Sequence, residues 1–431
     1  MKDLTLKSGS RLLLRHDPAS TSVSMGVYAM VSLSQEPVEL NGIAHFLEHM
    51  SFKGTPGKSA KKIAEILDSM GGRMNAHTSK EYTAYYITVL PGHFNKGFDL
   101  LTDLFINSTL TEEDIQTEKQ VVLEEINMYE DTPDENIHDI FANLIWDKHK
   151  LGLPIIGTKE SLARINQSNL RDFKNHYFNP KNLIISMAGN LPAEGKLIEK
   201  IEKAFDLPKV NVTSFDDLIE RPKPSSAVKF QLKKTEQIHF CIGGQGIAHD
   251  HPDHFKLSVL NTILGGAMSS RLFQKIREKK GYAYAVYSYP SFYKNSGLFT
   301  IYGGINKKKF PQTLKIISQE INSLKTKPVS PHELQKAKDN LKGNLALSLE
   351  RSSSWMSWIA RSKMYYGRVY PLDEMLTKID EVTAQDVQAM ATEFFNPDCM
   401  ALAAIGPFSA AQFKYNGLTL TDYLAKLNLS F

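Results

Sequence analysis

The order of hydrophobic patterns runs through this chain twice, and that repetition limits the folds open to it more than any other feature. TSVSMGVYAM (21–30) alternates like a half-buried strand. Helical runs follow through 40–50 and from Ser59 to Met70, where Gly71-Gly72 stops the second one. Two strand-like segments, GGRMNAHT and EYTAYYITVL, then precede helical stretches at 92–107 and 111–130. QIHFCIGGQG (237–246) restarts the series, with helical FKLSVLNTIL and SRLFQKIREKK, strand-like AYAVYSY and GLFTIYGG, and helical KFPQTLKIISQEINSL and SPHELQKAKDNLKGNLAL. Laying Thr111 on Ser330 gives an offset of 219, at which Ile115 meets Leu334. A period of half the 431 residues exceeds any solenoid repeat and indicates a duplicated α+β unit. The seam is expected in LPKVNVTSFDDLIERPKPSSAV (207–228), where prolines, serines and charges interrupt periodicity. Domains of 1–212 and 229–431 joined by a linker at 213–228 follow from that placement.

Composition narrows the function classes. A formal charge of +4 on 48.5 kDa, with no dense basic run interleaved with aromatics, argues against nucleic acid or a membrane surface as partner. The two cysteines, Cys241 and Cys399, are too few and too far apart for a disulfide framework. The first residues, MKDLTLKSGSRLLLRHD, lack the apolar core of a signal peptide, and no apolar run reaches membrane-spanning length. A cytoplasmic location is the expectation.

GIAHFLEHMSFKGT (42–55) sets two histidines and a glutamate in an apolar run that leucine could fill at no cost. On a helix His45 and His49, four apart, project from one face and can converge on one ion, with Glu48 beside them. Neutral imidazoles suit zinc, and a catalytic zinc site takes three protein ligands and keeps one open position. HxxEH is the inverted form of the HExxH zincin helix. The third ligand is expected in TEKQVVLEEINMYEDTPDE (117–135), where Val121, Val122, Leu123 and Ile126 read as core. Glu118 and Glu125 share a face there, one suited to orient a histidine and the other to bind metal; spacing does not separate Glu125 from Glu124.

The repeat supplies an internal control. At the offset of 219, His45 falls on Leu264, Glu118 on Ala337 and Glu125 on Asn344, so the second half lacks the polar set. A purely structural need would have kept it in both halves.

These residues resemble the pitrilysin/insulinase inverzincins, in the branch of the mitochondrial processing peptidase and its bacterial homologues. The resemblance runs nearly end to end, through LNGIAHFLEHMSFKGT, GGRMNAHTSKEYTAYY, EKQVVLEEINMYEDTPDE, GGAMSSRLFQKIREKKGYAYAV and SLERSSSWMSWIARSKMYYGRVYPLDE. VSLSQEP (31–37) departs from it, standing where relatives carry a glycine- and arginine-containing stretch. The resemblance implies two homologous domains, each a mostly antiparallel sheet packed against helices, with the metal site in the first alone. It implies His45, His49 and Glu125 as ligands of one Zn2+ per chain, Glu48 as general base and Glu118 as a supporting partner. It also implies that Asn75 and Ala76 pair with an extended substrate, and that Arg277 and Tyr284 from the second half serve the reaction. The expected activity is that of a zinc endopeptidase acting on peptides or unfolded segments inside a chamber, in a homodimer whose partner supplies Arg277 and Tyr284. The alternative is a non-catalytic relative that keeps the fold to bind peptides or serve as a core subunit. Such relatives have typically lost part of HxxEH or the distal glutamate, and this chain carries all of them.

Overall fold

The computed structural model describes residues 1–207, 220–396 and 399–429. The fold is α+β, as expected, and each half's alternating segments build a sheet of their own. The first half contributes β1 (Lys2–Thr5), β2 (Arg11–His16), β3 (Val23–Ala29), a short hairpin of β4 (Gly54–Thr55) and β5 (Lys58–Ser59), then β6 (Arg73–Thr78), β7 (Thr83–Val89) and β8 (Leu183–Gly189). The hairpin apart, these form a six-stranded sheet in the order β1-β2-β8-β3-β7-β6, antiparallel except where β2 runs parallel to β8. The second half contributes β9 (Val228–Leu232), β10 (Gln237–Gly246), β11 (Ala283–Phe292), β12 (Gly297–Asn306) and β13 (Met400–Gly406). Their order is β11-β12-β10-β13-β9, again with one parallel pair, β13 with β9.

The chain divides into two compact units that interleave along the sequence. The first takes Met1–Met128, the segment from Pro154 to the seam, and Leu347–Tyr370; the second takes Tyr129–Leu153, Glu220–Ala346 and the segment from Pro371 onward. This corrects the expectation of consecutive blocks at 1–212 and 229–431. Residues 208–219, which include the end of the first expected domain and the first seven residues of the expected linker, lie outside the described residues.

The interleaving has a physical reason. A central strand such as β3, buried at all seven positions, needs cover on both faces. In the first unit one face carries the main core, including Val27, Ile87, Phe46, Leu101 and Leu170. The other face, with Leu13, Tyr28, Ala84 and Ile184, is closed by Met356, Ile359, Ala360 and Met364 of the helix Ser352–Tyr366. Each large apolar side chain buried there contributes roughly 1.5–3 kcal/mol. Polar ties fix the helix: Ser186 Oγ donates to the Met356 carbonyl at 2.7 Å and Tyr28 Oη to Ser357 Oγ at 2.9 Å. Gly26 on β3 permits the approach, since a Cβ there would lie 3.0 Å from Met356 Sδ.

In the second unit the helix Pro133–Ile145 does the same work. Its Ile137, Phe141 and Ile145 bury against Cys241 of β10 and Ala401, Ala403 and Ile405 of β13. These two covering helices are the same element of the repeat, starting at residues 133 and 352, which are 219 apart. The helices Glu112–Asp131 and Pro331–Ser348 likewise start 219 apart. The offset drifts elsewhere. His45 is the third residue of the helix Ile43–Met50, whereas Leu264 is the last of His254–Leu264, so Leu264 is only an approximate counterpart of His45.

Candidate metal centre

The helix Ile43–Met50 is seated by what it buries. Ile43, Ala44, Phe46, Leu47 and Met50 are all within 1% of full burial, leaving His45, Glu48 and His49 on the remaining face, half-buried. Its start is held from outside the helix. The buried Glu36 carboxylate accepts from the Gly42 N–H at 2.9 Å, the Ala44 N–H at 3.1 Å and Asn41 Nδ2 at 2.9 Å. A carboxylate on the first free N–H groups is the favoured arrangement at a helix N-terminus. Gly42 itself has φ +93°, and a Cβ there would lie 2.6 Å from the Ile156 carbonyl oxygen, so no other residue fits.

The acidic helix Glu112–Asp131 begins with Glu112, Glu113 and Asp114 in its first turn, which suits the helix dipole. Ile115, Val122 and Ile126 bury its inner face. Val121, expected in the core, is instead 47% exposed, because it lies one turn from Glu125 on the face that carries that half-exposed carboxylate. Glu124 is exposed, and Glu125 is the glutamate that turns toward the histidines.

Glu125 Oε1 lies 4.0 Å from His45 Nε2 and Oε2 lies 3.6 Å from His49 Nε2. One donor atom from each of the three residues falls within 4.8 Å of the others, and this is the one such group among the described residues. Tetrahedral zinc with nitrogen and oxygen ligands at about 2.0–2.1 Å has ligand–ligand edges of about 3.3 Å, so the donor set fits the ion after a small contraction. His49 Nδ1 meets Glu118 Oε1 at 2.9 Å, which turns Nε2 toward Glu125. Glu118 is itself only 3% exposed and is paired with Lys53 through its other oxygen. Burial, reinforced by the nearby His49, pushes the His45 pKa down to about 3, so its imidazole is neutral and its lone pair available at ordinary pH. Burial raises Glu48 above the usual carboxylate range, a trend that Thr78 and His49 oppose and Glu125 supports.

Asn75 and Ala76 lie on β6, the outermost strand of the first sheet, with Asn75 exposed and Ala76 buried. The Ala76 N–H is met by Asn75 Oδ1 at 2.9 Å. Arg277 and Tyr284 are brought together with each other in the second unit, the guanidinium carbon 5.3 Å from the centre of a ring that is 78% exposed.

Three residues of the site went unread in the sequence. Thr78 Oγ1 donates to Glu48 Oε2 at 2.5 Å. Lys53 pairs with Glu118, and its place four residues after His49 was the available signal. Glu36 lies in the divergent VSLSQEP stretch, where no periodicity marks it.

The chain is similar to known proteins along nearly its whole length. The profile of the insulinase family, peptidase family M16, matches residues 11–159, and that of the peptidase M16 inactive domain matches residues 164–341. The chain is 42% identical over 407 residues to YmxG of Bacillus subtilis, described as an uncharacterized zinc protease, covering 94% of this chain and 98% of that one. It is 35% identical over 418 residues to another protein of that description from Streptomyces coelicolor, covering 95% and 90%. Among solved structures, a peptidase M16 inactive domain from Pseudomonas fluorescens superposes with TM-score 0.87 at 21% identity, covering 94% and 98%. A protease from Helicobacter pylori does so at 0.86 and 23%, covering 94% and 99%. Both structures share the fold.

Proposed function

The chain belongs to the insulinase family of M16 peptidases, and from that premise we propose that it is a zinc-dependent endopeptidase acting on peptides or unfolded segments, with His45, His49 and Glu125 as metal ligands. One observation carries the reading: two imidazoles and a carboxylate from separate helices converge where Glu48 stands on the same helix face. The word inactive in the second matched profile attaches to residues 164–341, which contain none of these four side chains. That favours catalysis over the alternative of a purely peptide-binding relative.

Zinc bound there supplies a Lewis acid for the scissile carbonyl and lowers the pKa of a water molecule. Glu48 takes the proton of the attacking water and returns it to the leaving amine. Glu118 holds the His49 ring in register, and Lys53 balances the buried charge that this requires. The free edge of β6 receives the substrate as an added strand, its backbone taking the place of Asn75 Oδ1 on the Ala76 N–H. Arg277 and Tyr284 act across a homodimer enclosing a chamber, Tyr284 as a hydroxyl donor to the oxyanion and Arg277 orienting the peptide or Tyr284. The exposure of the Tyr284 ring supports that assignment.

A fluorogenic peptide tests the core of the proposal. Cleavage should stop on chelation, return with zinc, and be absent in a Glu48→Gln chain that still binds metal. Cleavage that survives complete metal removal would overturn it. For the dimer, mixing Glu48→Gln with Tyr284→Phe chains should recover activity that neither has alone; no recovery removes the shared site.

Among the described residues no helix is long and apolar enough to cross a membrane.

A further inference from the structure

We propose that Thr78 is a positioning residue for the general base: its hydroxyl ties the Glu48 carboxylate to β6, so that base and substrate are registered by one strand. This rests on the peptidase reading above.

Thr78 is the last residue of β6, which in the six-stranded sheet pairs with β7 alone. Alternation along the strand puts Met74, Ala76 and Thr78 on one face and Arg73, Asn75 and His77 on the other. The burial pattern agrees, with Arg73, Asn75 and His77 exposed and Ala76 buried. The inward face lies against the helix Ile43–Met50. There Thr78 Oγ1 donates to Glu48 Oε2 at 2.5 Å.

A glutamate side chain has three rotatable torsions, and among the described residues no hydrogen bond from its own helix holds the Glu48 carboxylate in one direction. Threonine, branched at Cβ, is stiff at χ1, so its hydroxyl moves with the strand. It gives up one proton to one carboxylate oxygen, and the carboxylate keeps acceptor sites for a proton from water. A peptide added to the free edge of β6 would have its register set by the backbone that carries Thr78. Strand and base therefore move together, and their separation does not depend on the helix alone. A merely strand-forming threonine would do none of this, and valine would replace it without loss.

The experiment compares Thr78→Val and Thr78→Ser with the unaltered zinc-loaded chain, measuring kcat and KM on a fluorogenic peptide, bound zinc and Tm. With the base free to swing by about 1 Å, kcat of the valine variant should fall roughly tenfold to a hundredfold. Its KM should stay within about twofold, since the lost interaction serves the transition state. Zinc content and Tm should be unchanged, and serine should restore most of kcat. The proposal is overturned if valine leaves kcat intact, if kcat falls only in step with zinc or Tm, or if serine is as impaired as valine. If the unaltered zinc-loaded chain cleaves no peptide, the peptidase reading itself falls and takes this proposal with it.

Discussion

Glu118 and Ala337 occupy the same place in the repeat, on helices that start 219 residues apart, and both are 3% exposed. One is a buried carboxylate held by His49 and Lys53; the other is a methyl group in an apolar cluster with Leu314 and Ile317. One turn pair further on, Glu125 faces two imidazoles, while Asn344 is exposed and bonded to Asn340 of its own helix. The same scaffold thus closes with or without the polar set. What the first half retains at those positions is not demanded by the scaffold, and the desolvation of Glu118 is offset by its partners His49 and Lys53.

Residues carried between the halves would break or sharpen that contrast. The largest effect should come from Glu125→Asn, which imports the second half's residue: zinc affinity, measured by chelator competition, should fall by more than about a thousandfold, and peptide hydrolysis should vanish. The reciprocal Ala337→Glu should destabilise the chain by about 3 kcal/mol in denaturant unfolding, because it would bury a carboxylate in the apolar cluster that holds Leu314 and Ile317. A cost near zero would mean the buried position is indifferent to charge and the contrast uninformative. Glu118→Ala should be milder, weakening zinc about ten- to a hundredfold through a loosened His49 ring. Unchanged affinity would reduce Glu118 to a partner of Lys53.

The smallest effect concerns what the second half does with its own charges. Arg271 grips Glu333 with two bonds of 2.8 Å, which together with the charge of Arg271 holds the Glu333 carboxyl below its ordinary range. A depressed carboxyl contributes stability that is fully present above its ordinary value of 4.5 and is lost as pH falls through the lowered value. Glu333→Gln should therefore lower stability by about 1 kcal/mol at neutral pH. That difference should close in acid, which a series of Tm measurements from pH 7 to about 3 would show. A gap independent of pH would assign the effect to packing.

Much of this was legible in the residues. Spacing alone brought out His45, Glu48 and His49, because four residues make one helical turn and apolar neighbours left little reason for polar side chains. The acidic helix was visible too, but its choice of Glu125 over Glu124 needed either kinship or coordinates. Val121 shows why: its neighbours suggested core, and only the direction of the helix relative to the one carrying His45 and His49 decided otherwise. His77, His93 and His138 invite a reading as packed core histidines, yet none is fully buried and His77 lies on the outward face of β6. Thr78 and Glu36 act across distances of 30 and 6 to 8 residues through single hydrogen bonds, which leave no periodic trace. The domain limits erred for a different reason. Contiguity is the natural assumption for a duplicated chain, and no local pattern announces that the helix Ser352–Tyr366 closes the first unit.

That helix means the halves are not modules that can be cloned apart. A fragment ended at the seam would leave Tyr28, Leu13 and Ile184 facing water and should aggregate, whereas the two fragments made together should reassemble, each finishing the other. Neither half is expected to fold alone, because each lends the other's sheet a covering helix.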